Sequence, residues 1–363
     1  MLSIWLPYQA VAQADVEEGS GSGLVSVQNG VTAKIVGGIE SSASEIPWQA
    51  YLNMTFIDGN GNRSTFVCGG VVISPDVVLT AAHCLRKGSN TVAAQNIKVW
   101  GGIVSLFNAN SFNDVAVSEF VIHPSYNSSR FSNDIAILKL ATSLPSAAIP
   151  IKMADSVTQD RANNAFANGW VANSERDPNL LVSGWGATDP NDSSSGSTTL
   201  RQTVLSGVPD TICDAQWGSN ISPSDYPIFL CAGSVSPSLG RDSCFGDSGG
   251  PLVWQDPLNV SDSDFGLRLV GLVSFGQGCA GGLPGVYTEV ASYQAWIEQE
   301  VGSAVSTQPT SVFATNPFIR DYSNAGIAVD LSSTGGGGGY IGGGGMLGLL
   351  VVGYWRRRII SVA

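Results

Sequence analysis

The chain predicts an all-β fold, and three observations carry that expectation. Of its 363 residues only 13% are charged while 44 are glycine, a composition suited to many short strands joined by tight turns. Apolar, β-branched runs such as Val71-Val72-Ile73 and Ile135-Ala136-Ile137-Leu138 read as buried strands. Only residues 290–301 repeat with a helical period, bringing Val290, Tyr293, Trp296 and Ile297 to one side. The length allows a substantial core, and all-β barrels of about 200–250 residues commonly form one unit.

The net charge of −12 offers no basic stripe to neutralise phosphate, which argues against a nucleic-acid partner. It fits instead a solubility role in a secreted protein, with some attraction for basic substrates. The six cysteines allow many pairings, and spacing alone does not choose among them. Metal binding is the rival use, but no CxxC and no histidine cluster supports it, so neither a metal nor a cofactor is expected.

Chemistry concentrates in separated motifs. Thr80-Ala81-Ala82-His83-Cys84 supplies a histidine, Asn133-Asp134-Ile135-Ala136-Ile137-Leu138 an aspartate, and Gly246-Asp247-Ser248-Gly249-Gly250-Pro251 a serine on a glycine-rich turn. A histidine, then an aspartate, then a serine is one of the known chain orders for a hydrolytic triad. A serine hydroxyl is a poor nucleophile at neutral pH and needs a base to take its proton. Imidazole, titrating near pH ~6.5, accepts and returns a proton in that range. The bland alternatives are a structural histidine and a turn aspartate. The other histidine, His123 in Val121-Ile122-His123-Pro124-Ser125-Tyr126, reads as a surface turn after a strand.

These blocks resemble the chymotrypsin-fold serine peptidases, the trypsin-like family. The likeness runs from Ile35-Val36-Gly37-Gly38 through Ser183-Gly184-Trp185-Gly186 to Pro284-Gly285-Val286-Tyr287-Thr288, and covers residues 35–301. It implies two antiparallel six-stranded β-barrels with the active site between them and a C-terminal helix. It implies a serine endopeptidase that needs no cofactor, acts on protein or peptide substrates and works as a monomer. His83, Asp134 and Ser248 would be catalytic, and the N–H groups of Gly246 and Ser248 would form the oxyanion hole. The pairs implied are Cys68 with Cys84, Cys213 with Cys231, and Cys244 with Cys279, which places the chain in an oxidising compartment. A non-catalytic binding protein on the same fold is the alternative from another class.

The resemblance also assigns activation and specificity. Cleavage after Lys34 would free the Ile35 amine to pair with Asp247 and so order the Gly246–Ser248 turn. Asp242, six residues before Ser248, would form the acidic floor of an S1 pocket with Ser243, Ser274, Gly276 and Gly285. This favours cleavage after Arg or Lys. The alternative is an exposed loop aspartate neutralised by the adjacent Arg241. Phe245 and Phe275 depart from the commoner residues, which leaves subsites beyond S1 open. Residues 155–181 exceed what a minimal member needs and read as a surface loop.

Both ends carry sorting features. Residues 1–14 are expected to be a signal peptide, without a basic start, and 15–34 an acidic, Gly/Ser-rich propeptide. Residues 302–334 read as a linker. Residues 335–363 hold glycine tracts, a short apolar run at 346–355 and then Arg356, Arg357 and Arg358. That order resembles the GlyGly-CTERM sorting tail of bacterial secreted proteins. It implies a rhomboid-type tail protease, type II secretion through the periplasm, transient membrane attachment, and a secreted or cell-surface product. The apolar span is short against the ~20 residues of a membrane helix. A retained anchor and a GPI signal are the competitors.

Overall fold

Strict alternation shapes the first barrel. Along strand β1 (Gln49–Ile57), Ala50, Leu52, Met54 and Phe56 are buried, while Tyr51, Asn53 and Thr55 between them are only partly covered. The computed structural model describes residues 35–328 apart from 219, 220 and 222. The expected signal peptide, the propeptide with Lys34, and the 335–363 tail lie outside the described residues.

β1 is followed by β2 (Arg63–Ser74), β3 (Val77–Thr80), β4 (Ile97–Gly101), β5 (Val115–Ile122) and β6 (Ala136–Leu140). They close in the order β1-β2-β3-β6-β5-β4. The second barrel comprises β7 (Leu180–Gly184), β8 (Arg201–Val208), β9 (Phe229–Gly233), β10 (Pro251–Gln255), β11 (Leu267–Phe275) and β12 (Gly285–Glu289). Pairing of β8 with β9 closes it as β7-β8-β9-β12-β11-β10. Both barrels are antiparallel and share one strand order, so the expected pair of six-stranded barrels is what the chain forms. Each has its own apolar interior, with Leu52, Val72 and Leu138 in the first and Val182, Leu252 and Tyr287 in the second. A further cluster, including Trp48, Ile137, Leu181, Leu269 and Ile297, joins the barrels to the C-terminal helix.

That helix is split. Val290–Tyr293 forms a 3₁₀ turn and Gln294–Val301 the α-helix. Residues 155–181 correct the loop expectation, because Ser156–Gly169 is a helix. Asp155 caps it by accepting the Thr158 N–H at 2.7 Å, and Phe166 pins it over Gly207, where any Cβ would strike the ring. Residues 302–328, read as a linker, lie against the body as a strap. The strap buries Val305, Phe313, Tyr322 and Ala325, and ends with Ile327–Ala328 paired to Leu239–Gly240. Its polar composition hides these four anchors, which follow no period. No helix among the described residues is long and apolar enough to cross a membrane.

Candidate active site

The two barrels meet around a buried carboxylate. Asp134 sits just ahead of β6, fully buried, and His83 lies on the 3₁₀ turn Ala82–Leu85 that follows β3. Asp134 Oδ2 lies 2.7 Å from His83 Nδ1, and Oδ1 accepts the His83 backbone N–H at 2.8 Å. The second barrel completes the shell: Ser274 Oγ donates to Oδ2 at 2.5 Å, and Thr288 Oγ1 donates to the Asp134 carbonyl at 2.9 Å. A carboxylate held by these donors on both oxygens fixes the orientation of the imidazole ring. Burial pulls the imidazole down, yet Asp134 outweighs this by charge and by hydrogen bond, leaving His83 above its ordinary value. Ser248 lines the same cleft as His83. No hydrogen bond joins its hydroxyl to the imidazole among the described residues; such contacts often tighten only with substrate bound.

The Ser248 turn is gripped from both sides. Gly69 of β2 donates its N–H to the Ser248 carbonyl at 2.8 Å. Within the turn, the N–H groups of Asp247, Gly249 and Gly250 bond the carbonyls of Cys244, Val273 and Asp247. Those of Gly246 and Ser248 find no acceptor among the described residues, which leaves two unengaged N–H donors on this turn. Gly246 has φ +99°, a conformation open to glycine.

Asp247 faces the other way, into the second barrel. It is fully buried, accepting N–H from Gly186 at 2.8 Å and Cys244 at 2.9 Å. Burial pushes its carboxyl up to about 7, and it forms no ion pair among the described residues. The SGWG motif supplies its socket. A Cβ at Gly184 would overlap the carboxylate, and one at Gly186 would come within 2.6 Å of it. Ile35 and Val36 are both buried, and Val36 packs with Ala187, Cys244 and Cys279 next to this socket.

Asp242 is buried and lines the same cleft, together with Ser243, Ser274, Gly276 and Gly285. Its Oδ2 accepts the Ala280 N–H at 2.9 Å, whereas Oδ1 is buried with no hydrogen-bond partner among the described residues. Burial pushes this carboxyl up to about 7. A Cβ at Gly285 would lie 3.1 Å from Oδ1 and narrow the slot. Arg241 does not neutralise this carboxylate: its guanidinium turns away and donates to the carbonyls of Tyr322 and Ala325. Disulfides join Cys68 to Cys84 behind His83, Cys244 to Cys279 across the pocket, and Cys213 to Cys231 in the second barrel. Phe275 meets Phe131, Trp217 and Phe229 at centroid distances of 5.4–5.7 Å, forming one aromatic wall. Phe245 projects from the rim, 56% exposed.

Two barrels with a Ser, His and Asp converging at their seam define a class, the serine hydrolases of the double-barrel type. Comparison with known proteins narrows it. The family model described as Trypsin matches residues 35–297. The chain is 36% identical over 280 residues to Trypsin alpha-4 of Lucilia cuprina and 34% identical over 278 residues to Trypsin alpha of Drosophila melanogaster. It is 32% identical over 276 residues to Hypodermin-B of Hypoderma lineatum. Each alignment covers 74% of this chain and 88% of the relative. The chain therefore belongs to the trypsin family and is a serine endopeptidase.

Some functional contacts were not visible in the sequence. Ser274 was expected in the pocket, and it lines the cleft, yet its hydroxyl serves Asp134, 140 residues away. Thr288, inside the PGVYT block, had no assigned part. No spacing rule signals either bond.

Proposed function

We propose that this endopeptidase cleaves peptide bonds after Arg or Lys and is made as a zymogen activated by a cut after Lys34. The observation that carries the specificity is the Oδ1 of Asp242, buried in a glycine-walled slot with no hydrogen-bond partner among the described residues. An isolated carboxylate in such a place is costly, and a guanidinium or ammonium entering the slot relieves that cost.

In the proposed mechanism, Ser248 Oγ attacks the scissile carbonyl while His83 Nε2 takes its proton. Asp134 holds the ring in the tautomer that leaves Nε2 free and stabilises the imidazolium. The N–H groups of Gly246 and Ser248 stabilise the oxyanion, each worth roughly 3–4 kcal/mol in sites of this kind. His83 then protonates the leaving amine, and water repeats the sequence on the acyl-enzyme.

Activation rests on the Asp247 socket. Among the described residues this buried carboxylate meets N–H donors and no cation, and Val36, next to Ile35, packs with Cys244 and Ala187 beside it. The free Ile35 amine is the proposed partner, and their pairing would hold the Gly246–Ser248 turn. The signal peptide and the C-terminal tail, from their sequences, support export and tail removal by a rhomboid-type protease before type II secretion.

The decisive experiment compares arginyl, lysyl and phenylalanyl amide substrates with enzyme beginning at Ile35. Preference for the basic pair is expected; preference for the aromatic one overturns the assignment of Asp242. N-terminal sequencing of active material should start at Ile35. Mass spectrometry should find Arg356–Arg358 missing from the secreted form, and their retention would mean a kept anchor.

A further inference from the structure

The strap 302–328 lies beyond the family match, which ends at residue 297. Its path is specific. Gln308 Nε2 donates to the Ile73 carbonyl at 3.0 Å, Ser311 Oγ to Pro150 at 2.6 Å, and the Phe313 ring sits 4.8 Å from Trp48. Arg320 then pairs with buried Glu45 at 2.6 Å, and the Tyr322 hydroxyl accepts from Gln202 Nε2 at 2.9 Å. The strap thus crosses the first barrel and arrives behind the S1 pocket.

There it meets Arg241, the residue before Asp242. Arg241 is buried, and its guanidinium reaches the Tyr322 carbonyl at 2.8 Å and the Ala325 carbonyl at 3.0 and 3.2 Å. Its main chain is held twice by Ser234 Oγ, at 2.8 and 3.1 Å. Next along the chain, the Asp242 N–H bonds the Val36 carbonyl at 3.1 Å. The fit leaves no slack: a Cβ at Gly37 would fall 2.5 Å from the Gly240 carbonyl, 2.6 Å from Gly326 Cα and 3.0 Å from Arg241 Cγ. Strap, specificity loop and the segment beginning at Ile35 are therefore stacked in direct contact.

We propose that Arg241 is a positioning residue through which the strap sets the floor of the S1 pocket, making residues 302–328 part of the specificity apparatus. Among the described residues the guanidinium has carbonyl acceptors only from the strap, so losing the strap leaves a buried cation next to Asp242 in the chain. The loop must then move to hydrate it, and Asp242 moves with it. This inference rests on the Arg/Lys reading of the pocket.

The test uses full-length enzyme processed to Ile35, with active molecules counted by fluorophosphonate titration of Ser248 and benzamidine as the S1 probe. Arg241→Met keeps the aliphatic stem over Gly37 and removes the donors. Gly326→Val acts from the strap side, since a Cβ there would come 2.8 Å from Leu239 Cβ. Both should raise the benzamidine Kd and the KM for an arginyl amide about tenfold, the scale of lost charge-assisted hydrogen bonds. Per titrated site, kcat should stay within about twofold, because the Ser248 turn has separate supports. Arg241→Lys should restore part of the affinity. Phe166→Leu, in the remote helix Ser156–Gly169, supplies a control that lowers Tm without moving the benzamidine Kd. Parent-like Kd and KM in both test variants overturn the proposal, as does a loss confined to kcat. If the parent itself does not bind benzamidine, the Arg/Lys reading falls first and this proposal falls with it.

Discussion

Benzamidine affinity should fall steeply with acidification, because the pocket carboxylate titrates near neutrality. Burial raises Asp242 from 3.8 to about 7, with backbone N–H groups only partly offsetting it. A cationic ligand needs the ionised form. With a folded value near 7, roughly one molecule in a hundred carries that charge at pH 5, so the Kd should rise about a hundredfold between pH 8 and pH 5. The same burial sets a stability term. A carboxyl that holds its proton more tightly when folded contributes stability fully present below about 4, and that stability drains away as pH rises to about 7. The loss amounts to about 4 kcal/mol when the group is buried and unpaired. Bound benzamidine should return much of it, so saturating ligand should raise Tm more at pH 8 than at pH 5. Calorimetric titration from pH 5 to 9 measures the first effect, and thermal scans with and without ligand the second. Asp242→Asn should abolish tight binding and flatten both profiles. An affinity constant across this range in the parent would refute the reasoning.

Three further outcomes follow from the triad and its neighbours. Ser274→Ala removes the 2.5 Å donor to Asp134; kcat/KM should drop by the equivalent of about 1.5–3 kcal/mol, and an unchanged kcat/KM counts against that role. His83 lies above its ordinary value because of Asp134, so kcat/KM should fall as pH drops through a point above ~6.5. An acid limb below that point would contradict the geometry. Gly184→Ala drives a methyl into the Asp247 socket and should cost about 1–3 kcal/mol in stability, with a larger loss of active-site titre. Full titre in a folded variant would show that the socket tolerates displacement.

The sequence made the fold class, the family and the motif residues legible because their signals are local. Val71, Val72 and Ile73 are a contiguous apolar run, and all three are buried in β2. The GDSGGP, TAAHC and SGWG blocks each name their own glycines and polar groups. The helix Ser156–Gly169 escaped because its buried face is Thr158, Gln159, Ala162 and Phe166, too polar for a hydrophobic period. Its Asp155 cap was the usable cue. The strap escaped because its apolar residues are scattered among Ser, Thr, Asn, Gly and Pro with no period, while its anchoring depends on Trp48, Glu45 and Arg241, far away in sequence. The Ser274 hydroxyl could point to the pocket or to Asp134, and only tertiary packing decides between them.

Asp134 comes from one barrel, while the side chains that hold its carboxylate and carbonyl from across the seam, Ser274 and Thr288, come from the other. Both halves repeat one strand order, and neither alone holds His83, Asp134 and Ser248 together. Hydrolysis is a property of the junction, so either half expressed alone should fold at best into an inert shell, and activity should return only when the halves reassociate.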